Sequence, residues 1–373
     1  MFHTNDRFLY HLFLVGDFAR LITGEIVTCG SSTRFLSYTA SEPYPGHVTV
    51  PRVSICLLSY NQAEFLRDSI ESVVAQTFTD WELIVVDNGS TDESEEILNS
   101  YEGRSEIRVI LHEKNDAPTK RLNEAIAASS GEFISVLYSD DFYLPDKLRL
   151  QVEAFDKLPS DYGVVYSPGE RLDVDTGERW IDATLTAEGP IFDNLLTEFS
   201  ARRPINPISP LIRRECFERH PFYEDIFVEG ELIFFRIAMT HQFHFIPQPT
   251  VVMRDHPHNR GRAVKRNVET LLIFLGKLES EHDFPESSRE SFRIMRGDVY
   301  RFGMWWGIRT VNDPVWAREM LIKAVKFDRR QALHPKIILG LGLSMLSASQ
   351  LRRLNQLAAM IRPSRGHSNH VEH

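Results

Sequence analysis

Cysteine is scarce in this chain: its 373 residues hold three, Cys29, Cys56 and Cys216, in no paired spacing. That scatter excludes a disulfide framework or a CxxC-type zinc site and reads as buried thiols in a reducing compartment. Long hydrophobic runs are missing too. The apolar stretch from Phe8 to Val15 contains His11, meets Asp17 almost at once and lacks a small-residue cleavage site. Neither a signal peptide nor a spanning helix is expected there. Positive charge is in deficit, with 42 Lys and Arg against 52 Asp and Glu and a net charge of -10. General nucleic-acid binding, which needs surplus cations to neutralise phosphates, is therefore not expected. Two nucleotide fingerprints are also absent: no GxGxxG follows the first β-rich run, and no GxxxxGK[ST] occurs. Dinucleotide-dependent oxidoreductases and P-loop NTPases lose their main support.

With 42% apolar and 25% charged residues, the composition is that of a soluble globular protein. The length suits a catalytic domain plus an accessory one. Residues 1–50 carry few signals and are set apart as an unassigned N-terminal extension. From residue 51 the pattern becomes regular. VSICLLSY (53–60), WELIVVD (81–87), IRVILHE (107–113), FISVLYS (133–139) and YGVVYS (162–167) are short β-rich apolar runs suited to burial on both faces. Between them AEFLRDSIESVVAQ, DESEEILNSY, PTKRLNEAIAAS and PDKLRLQVEAFDK place apolar residues at helical spacing. Alternation of this kind predicts an α/β fold with a mainly parallel sheet flanked by helices. Such sheets bind ligands beyond the carboxyl ends of their strands, where Ser59, Tyr60, Asn61, Asp87, Asn88, Asp140 and Asp141 all fall.

Two of those ends are acidic, VVDNGSTD (85–92) and YSDD (138–141). One carboxylate can hold a base or ribose by hydrogen bonding while a second holds a hard cation bridging two phosphates, as a nucleoside diphosphate requires. Asp87 and Asp92 are equally suited to capping a helix that begins near residue 92.

The segments PRVSICLLSYNQAEFLRDSIESVVAQTFTDWELIVVDNGSTDES and HEKNDAPTKRLNEAIAASSGEFISVLYSDDFYLPDKL resemble the family 2 glycosyltransferases of GT-A fold, over about residues 51–260. The resemblance implies a catalytic domain there. It implies that Ser59, Tyr60, Asn61 and Asp87 line the nucleotide pocket, with Asp87 at the base, and that Asn115, Lys120 and Asn123 flank the nucleotide or shape its loop. For these last three, helix initiation and solvent contact remain an equal reading. Family members commonly carry Asp-x-Asp; here Tyr138 stands at the first acidic position, and Asp140 and Asp141 remain. Asp140 matches the metal-binding carboxylate, so a divalent cation, Mn or Mg, is implied, with Asp141 beside the donor.

PISPLIRRECFERHPFYEDIFVEGELIFFRIAMTHQFHFIP resembles the acceptor-side segment, in which the second acid of a pair is the general base. Gly230 occupies that position, between Glu229 and Glu231, with Arg236 at the family's arginine position. Glu229, the match to the first acid, is the preferred base and Glu231 the second candidate; both also suit a helix N-terminus. In VVMRDHPHN (251–259) the resemblance puts His256 near the diphosphate as a metal or phosphate ligand, with His258 as a substitute, and Arg254 as the residue that orders the loop or offsets charge.

The implied activity is transfer of a sugar, with inversion, from a nucleotide-diphosphate-sugar to a hydroxyl of a saccharide or lipid-linked acceptor, in bacterial-type polysaccharide or glycoconjugate synthesis. A nucleotide-sugar-binding protein without catalysis and a sugar-phosphate nucleotidyltransferase are the alternatives. Residues 261–373 lack strand alternation and read as a helical accessory region, with Trp305 and Trp306 as packing residues. From Arg329 to Val371 there is no Asp or Glu, and LRRLNQLAAMIR has the pattern of an interfacial helix. The chain is thus expected in the cytoplasm, its tail touching an anionic membrane on the inner face.

Overall fold

The computed structural model describes residues 33–35, 50–201, 204–226, 230–256 and 264–361. In chain order the strands are β1 (Thr33–Phe35), β2 (Val53–Ser59), β3 (Trp81–Asp87), β4 (Ile107–His112), β5 (Phe133–Tyr138), β6 (Phe142–Tyr143), β7 (Tyr162–Tyr166), β8 (Gly169–Asp173), β9 (Arg179–Ile181), β10 (Leu211–Arg213), β11 (Gln242–Phe245) and β12 (Val251–Asp255). The helices that concern the first part of the chain are α1 (Ala63–Val74), α2 (Ser94–Asn99), α3 (Pro118–Ala128), α4 (Lys147–Phe155), α5 (Phe192–Ala201), α6 (Arg214–Arg219) and α7 (Ile233–Ala238).

The main sheet has the order β1-β4-β3-β2-β5-β10-β7-β11. Strand β2 lies at its centre, parallel to β3 and β5, and every residue of β2 is buried. The run VSICLLS has no polar face because helices cover both sides. The expected parallel ladder is present from β4 to β5, but the sheet is mixed: β10 runs antiparallel between β5 and β7, and β1 antiparallel against β4. β10 has three residues, too short a run to show alternation in the sequence. A second, four-stranded sheet, β6-β12-β8-β9, pairs segments far apart in the chain.

The chain forms two compact units, one of residues 1–262 with 273–286, the other of residues 263–272 with 287–373. Helix α8 (Val264–Glu279) is divided between them. The second unit continues with α9 (Arg289–Trp306), α10 (Pro314–Phe327), α11 (Pro335–Leu343) and α12 (Ala348–Ile361), the helical C-terminal region read from the pattern. Helix α10 starts on Pro314 after Asp313, whose carboxylate accepts the Trp316 N–H at 3.0 Å as an N-cap. Trp306 is buried at 8% exposure, while Trp305 lies half-buried with Lys336 Nζ 5.6 Å from its ring. Cys56 and Cys216 are both buried free thiols, as their spacing suggested. Cys29 lies outside the described residues.

Candidate active site

Register brings the polar strand ends together. Ser59 at the end of β2 is the Cα partner of Asp87 at the end of β3, and on its other side Leu58 pairs with Tyr138 at the end of β5. The turns that follow are laced to one another. The Asn61 N–H donates to Ser90 Oγ at 2.9 Å, Asn61 Oδ1 accepts the Thr91 N–H at 2.7 Å, and the Ala63 N–H donates to Asp92 Oδ2 at 2.9 Å. Asn61 adopts φ of 49°, a left-handed conformation that asparagine tolerates better than most residues. Tyr60 beside it is half-buried.

Asp87 is 3% exposed, and its two oxygens accept the Ser90 N–H at 2.8 Å and the Ser90 hydroxyl at 2.6 Å. Burial raises its carboxyl above the usual range, and the Ser90 bonds and the Ser59 hydroxyl offset part of that rise. Of the two acids suited to capping, Asp87 does not bond α2, whereas Asp92 Oδ1 accepts the N–H of Ser94, its first residue, at 3.1 Å, although Glu93 occupies the N-cap position. Gly89, with φ of 78°, lets this turn pass against the next one: a Cβ there would meet the Lys114 carbonyl carbon at 2.6 Å.

Asn88 ties the β3 turn to the β4–α3 turn. Its amide donates to Asp116 O at 2.9 Å and Asn115 Oδ1 at 3.2 Å, and its oxygen accepts the Asp116 N–H and Arg121 Nε, each at 3.0 Å. Asn115 is thus beside the β3 turn and half-buried. Lys120 is exposed and pairs with Asp116 at 2.7 Å, which draws the Asp116 carboxyl below its usual range. Asn123 belongs elsewhere. It binds the backbone of Phe222 through both ends of its amide, at 2.9 and 3.0 Å, so it secures the 220s segment and does not flank the Asn88 turn.

The third strand end carries the acidic pair. Asp141 is 6% exposed and accepts the Arg254 N–H at 2.9 Å; burial, then the neighbouring Asp140 charge, push its carboxyl well above the usual range. It is held within the scaffold, bonded to backbone. Asp140 has a side chain 23% exposed, and its Oδ2 lies 3.4 Å from His256 Nε2. That approach follows from the second sheet: β6 begins directly after Asp141 and pairs antiparallel with β12, whose end delivers Arg254 and His256. Arg254 is buried at 7% exposure and donates to Asp140 O at 3.0 Å and to Asp68 Oδ2 at 2.9 Å. Its guanidinium carbon lies 4.6 Å from the Phe142 ring and 5.1 Å from the Phe65 ring, and the latter ring is 5.0 Å from His256. Asp68, Phe65 and Arg121 have no motif in the linear sequence, and Ser90, although within VVDNGSTD, was not singled out there; the packing reveals them.

In the segment expected on the acceptor side, Gly230 has φ of 40° and opens a short 3-10 turn, Gly230–Leu232, ahead of α7. Glu231 is on that turn. Glu229 and His258 lie outside the described residues. Arg236 is buried, its Nε donates to Glu281 at 3.0 Å, and it lies 3.9 Å over the Tyr223 ring, which makes it an anchor for α7.

A divalent cation fits Asp140 and His256, which offer one carboxylate oxygen and one imidazole nitrogen side by side. Among the described residues no group of three or more His, Cys, Asp and Glu side chains gathers as a metal site. A pair of protein ligands is what a hard cation needs when substrate phosphates and water complete its shell.

Residues 54–220 match the family profile described as Glycosyl transferase family 2. An uncharacterised glycosyltransferase of Rickettsia prowazekii (strain Madrid E) is 37% identical over 123 residues, 33% of this chain and 38% of that protein. The putative teichuronic acid biosynthesis glycosyltransferase TuaG of Bacillus subtilis (strain 168) is 38% identical over 104 residues, 28% of this chain and 41% of that one. The chain therefore spans less than half the length of these curated relatives. Among solved structures, S. aureus TarS in complex with UDP-GlcNAc has a TM-score of 0.58 at 14% identity, covering 84% of this chain and 93% of that one. The mannosyltransferase PcManGT from Pyrobaculum calidifontis, solved with GDP-Man and Mn2+, has a TM-score of 0.51 at 17% identity, covering 85% and 88%. These likenesses establish the fold: a mixed sheet flanked by helices, of GT-A type.

Proposed function

We propose that the chain, whose residues 54–220 match the profile described as Glycosyl transferase family 2, moves a sugar from a nucleotide-diphosphate-sugar to an acceptor hydroxyl, with inversion, in bacterial-type polysaccharide or glycoconjugate synthesis. The observation that carries this reading is the convergence of Asp87, Asp140 and His256 at one edge of the parallel strands. Buried Asp87, its charge held by Ser90, is suited to accept hydrogen bonds from a nucleobase. Asn61, Ser90 and Asn88 lace three turns into one preorganised rim, so little ordering is left to the donor on binding.

Asp140 and His256 would hold the divalent cation, Mn or Mg, and when bound it supplies charge that neutralises the departing diphosphate. Arg254 fixes Asp140 through the backbone carbonyl and Asp141 through its own N–H, which orients the exposed carboxylate. Deprotonation of the acceptor hydroxyl falls to Glu229, with Glu231 as the alternative base two residues on. Inversion follows from a single in-line displacement and needs no covalent sugar intermediate. Positioning of two substrates supplies much of the rate.

A second reading, donor binding without transfer, is favoured by Gly230, which replaces an acid where the family has one. The test is release of nucleoside diphosphate from a panel of nucleotide-sugars, first alone and then with saccharide and lipid-linked acceptors. Release sustains the transferase reading. Thermal stabilisation by a donor without release sustains the binding reading, and production of inorganic diphosphate from a sugar phosphate and a nucleotide would mark a nucleotidyltransferase.

A further inference from the structure

Helix α11 of the second unit has the sequence PKIILGLGL, with no polar side chain after Lys336. Its inward side is narrow, made of Ile337 and Gly340 and, just beyond, Ser344. Several of its other apolar side chains are turned to solvent: Ile338 is 60% exposed, Leu339 53%, Leu341 48% and the following Met345 69%, with Leu343 half-buried. Leu333, at the turn before α11, is 83% exposed. A helix side facing water normally carries charge, and an exposed apolar patch of this kind marks a docking surface. Helix α12 repeats the arrangement. Leu351 is fully buried and Asn355 Nδ2 donates to Ile308 O at 2.8 Å, which fixes the helix, yet Leu354 and Leu357 are 40% and 58% exposed.

Cations accompany these side chains. From Arg329 to Val371 the sequence has no Asp or Glu and seven Lys and Arg, in a chain of net charge -10. Arg352 and Arg353 are exposed beside Leu354 and Leu357. A second copy of the chain is a poor occupant, because a two-fold interface would bring the same cationic row to both sides. Apolar side chains interleaved with arginines suit an interface between headgroups and acyl chains, where the leucines enter and the guanidinium groups meet lipid phosphates. No helix among the described residues is long and apolar enough to cross a membrane.

We propose that α11 and α12 dock the chain on an anionic lipid surface. This inference is independent of the catalytic reading. The experiment is co-sedimentation of the full chain with vesicles of phosphatidylcholine, with or without phosphatidylglycerol, at low and high salt. Binding to the anionic vesicles, weakened by salt, is expected. Each cation near such a surface strengthens binding about five-fold, so Arg352→Gln with Arg353→Gln should weaken it about 25-fold. Ile338→Ser with Leu341→Ser should weaken binding to the same vesicles at both salt concentrations. All four positions are on the surface, so circular dichroism and donor hydrolysis in solution should match the wild type. Absence of binding to anionic vesicles overturns the proposal, as does equal binding by wild type and both variants. A dimer in analytical ultracentrifugation that Ile338→Ser with Leu341→Ser dissociates would also overturn it, by assigning the face to a second copy.

Discussion

Replacing Arg254 with alanine should damage the site far more than removing its acidic partner, although the two residues share an ion pair. The guanidinium donates to Asp140 O at 3.0 Å from a side chain 8% exposed, and a charged donor on a half-buried carbonyl is worth about 2 kcal/mol. Contacts with Phe65 and Phe142 add about 1 kcal/mol. The pair with Asp68 adds little, because that carboxylate is 68% exposed and an exposed pair is worth at most about 1 kcal/mol. Arg254→Ala should therefore cost about 3 kcal/mol in urea denaturation, and Asp68→Asn less than about 1 kcal/mol. The backbone bond from residue 254 to Asp141 survives in both variants, so the comparison isolates the side chain. Freed from its carbonyl restraint, Asp140 loses its fixed position, and a misplacement of about 1 Å lowers kcat/KM about 100-fold. Asp68→Asn should stay within about five-fold of wild type. Equal loss in the two variants, or wild-type turnover by Arg254→Ala, would refute the reasoning.

Asp140→Ala should abolish metal-dependent turnover with little loss of stability, since the residue is in a strand-end loop; turnover that still responds to Mn or Mg would remove the assignment. Asp87→Ala should weaken donor binding about 10-fold or more by calorimetry while changing single-turnover rate less, because base contacts are equal in ground and transition states. Glu229→Gln should lower kcat and leave donor affinity intact; if Glu231→Gln is the crippled variant, the base lies two residues further on. Burial pushes Asp182 up to about 6 despite Arg171 Nε at 3.8 Å. The folded state then holds its proton longer than the unfolded chain, so stability falls as pH rises from about 4 through about 6. Between about pH 5 and about pH 7.5 the wild type should lose about 1 kcal/mol relative to Asp182→Asn, a difference that chemical denaturation at the two pH values measures.

The central strands were legible because burial on both faces leaves an unbroken apolar stretch in each, ICLL and LIVV, and the polar residues at their carboxyl ends then stand out. β10, β6, β8 and β9 were not, since two to five residues in a sheet of mixed direction leave no period to detect. Asp87 and Asp140 could be picked out by their places at strand ends. Arg254 and His256 needed the family pattern, because β12 reaches Asp140 only through long-range pairing. Asn123 reads equally well as a residue that flanks the nucleotide or shapes its loop and as one of helix initiation or solvent contact, and its bonds to both ends of the Phe222 backbone could not be foreseen. Asp68 gives no sign at all: one acid among several on an amphipathic helix.

The pairing of β6 with β12 has a consequence for how the chain can be divided. Asp140 and His256 are 116 residues apart, and the family match ends at residue 220, before β12 begins. A fragment cut at that boundary would keep Ser59, Asp87 and Asp140 but lose Arg254 and His256, and would leave β6 with an open edge. During synthesis the same order holds: the Ser59 and Asp87 side of the candidate site can form while the Asp140 and His256 side waits for β12 to emerge and dock. Half of the candidate site is thus local in the chain and half is non-local, and the non-local half should set the pace at which the site is completed.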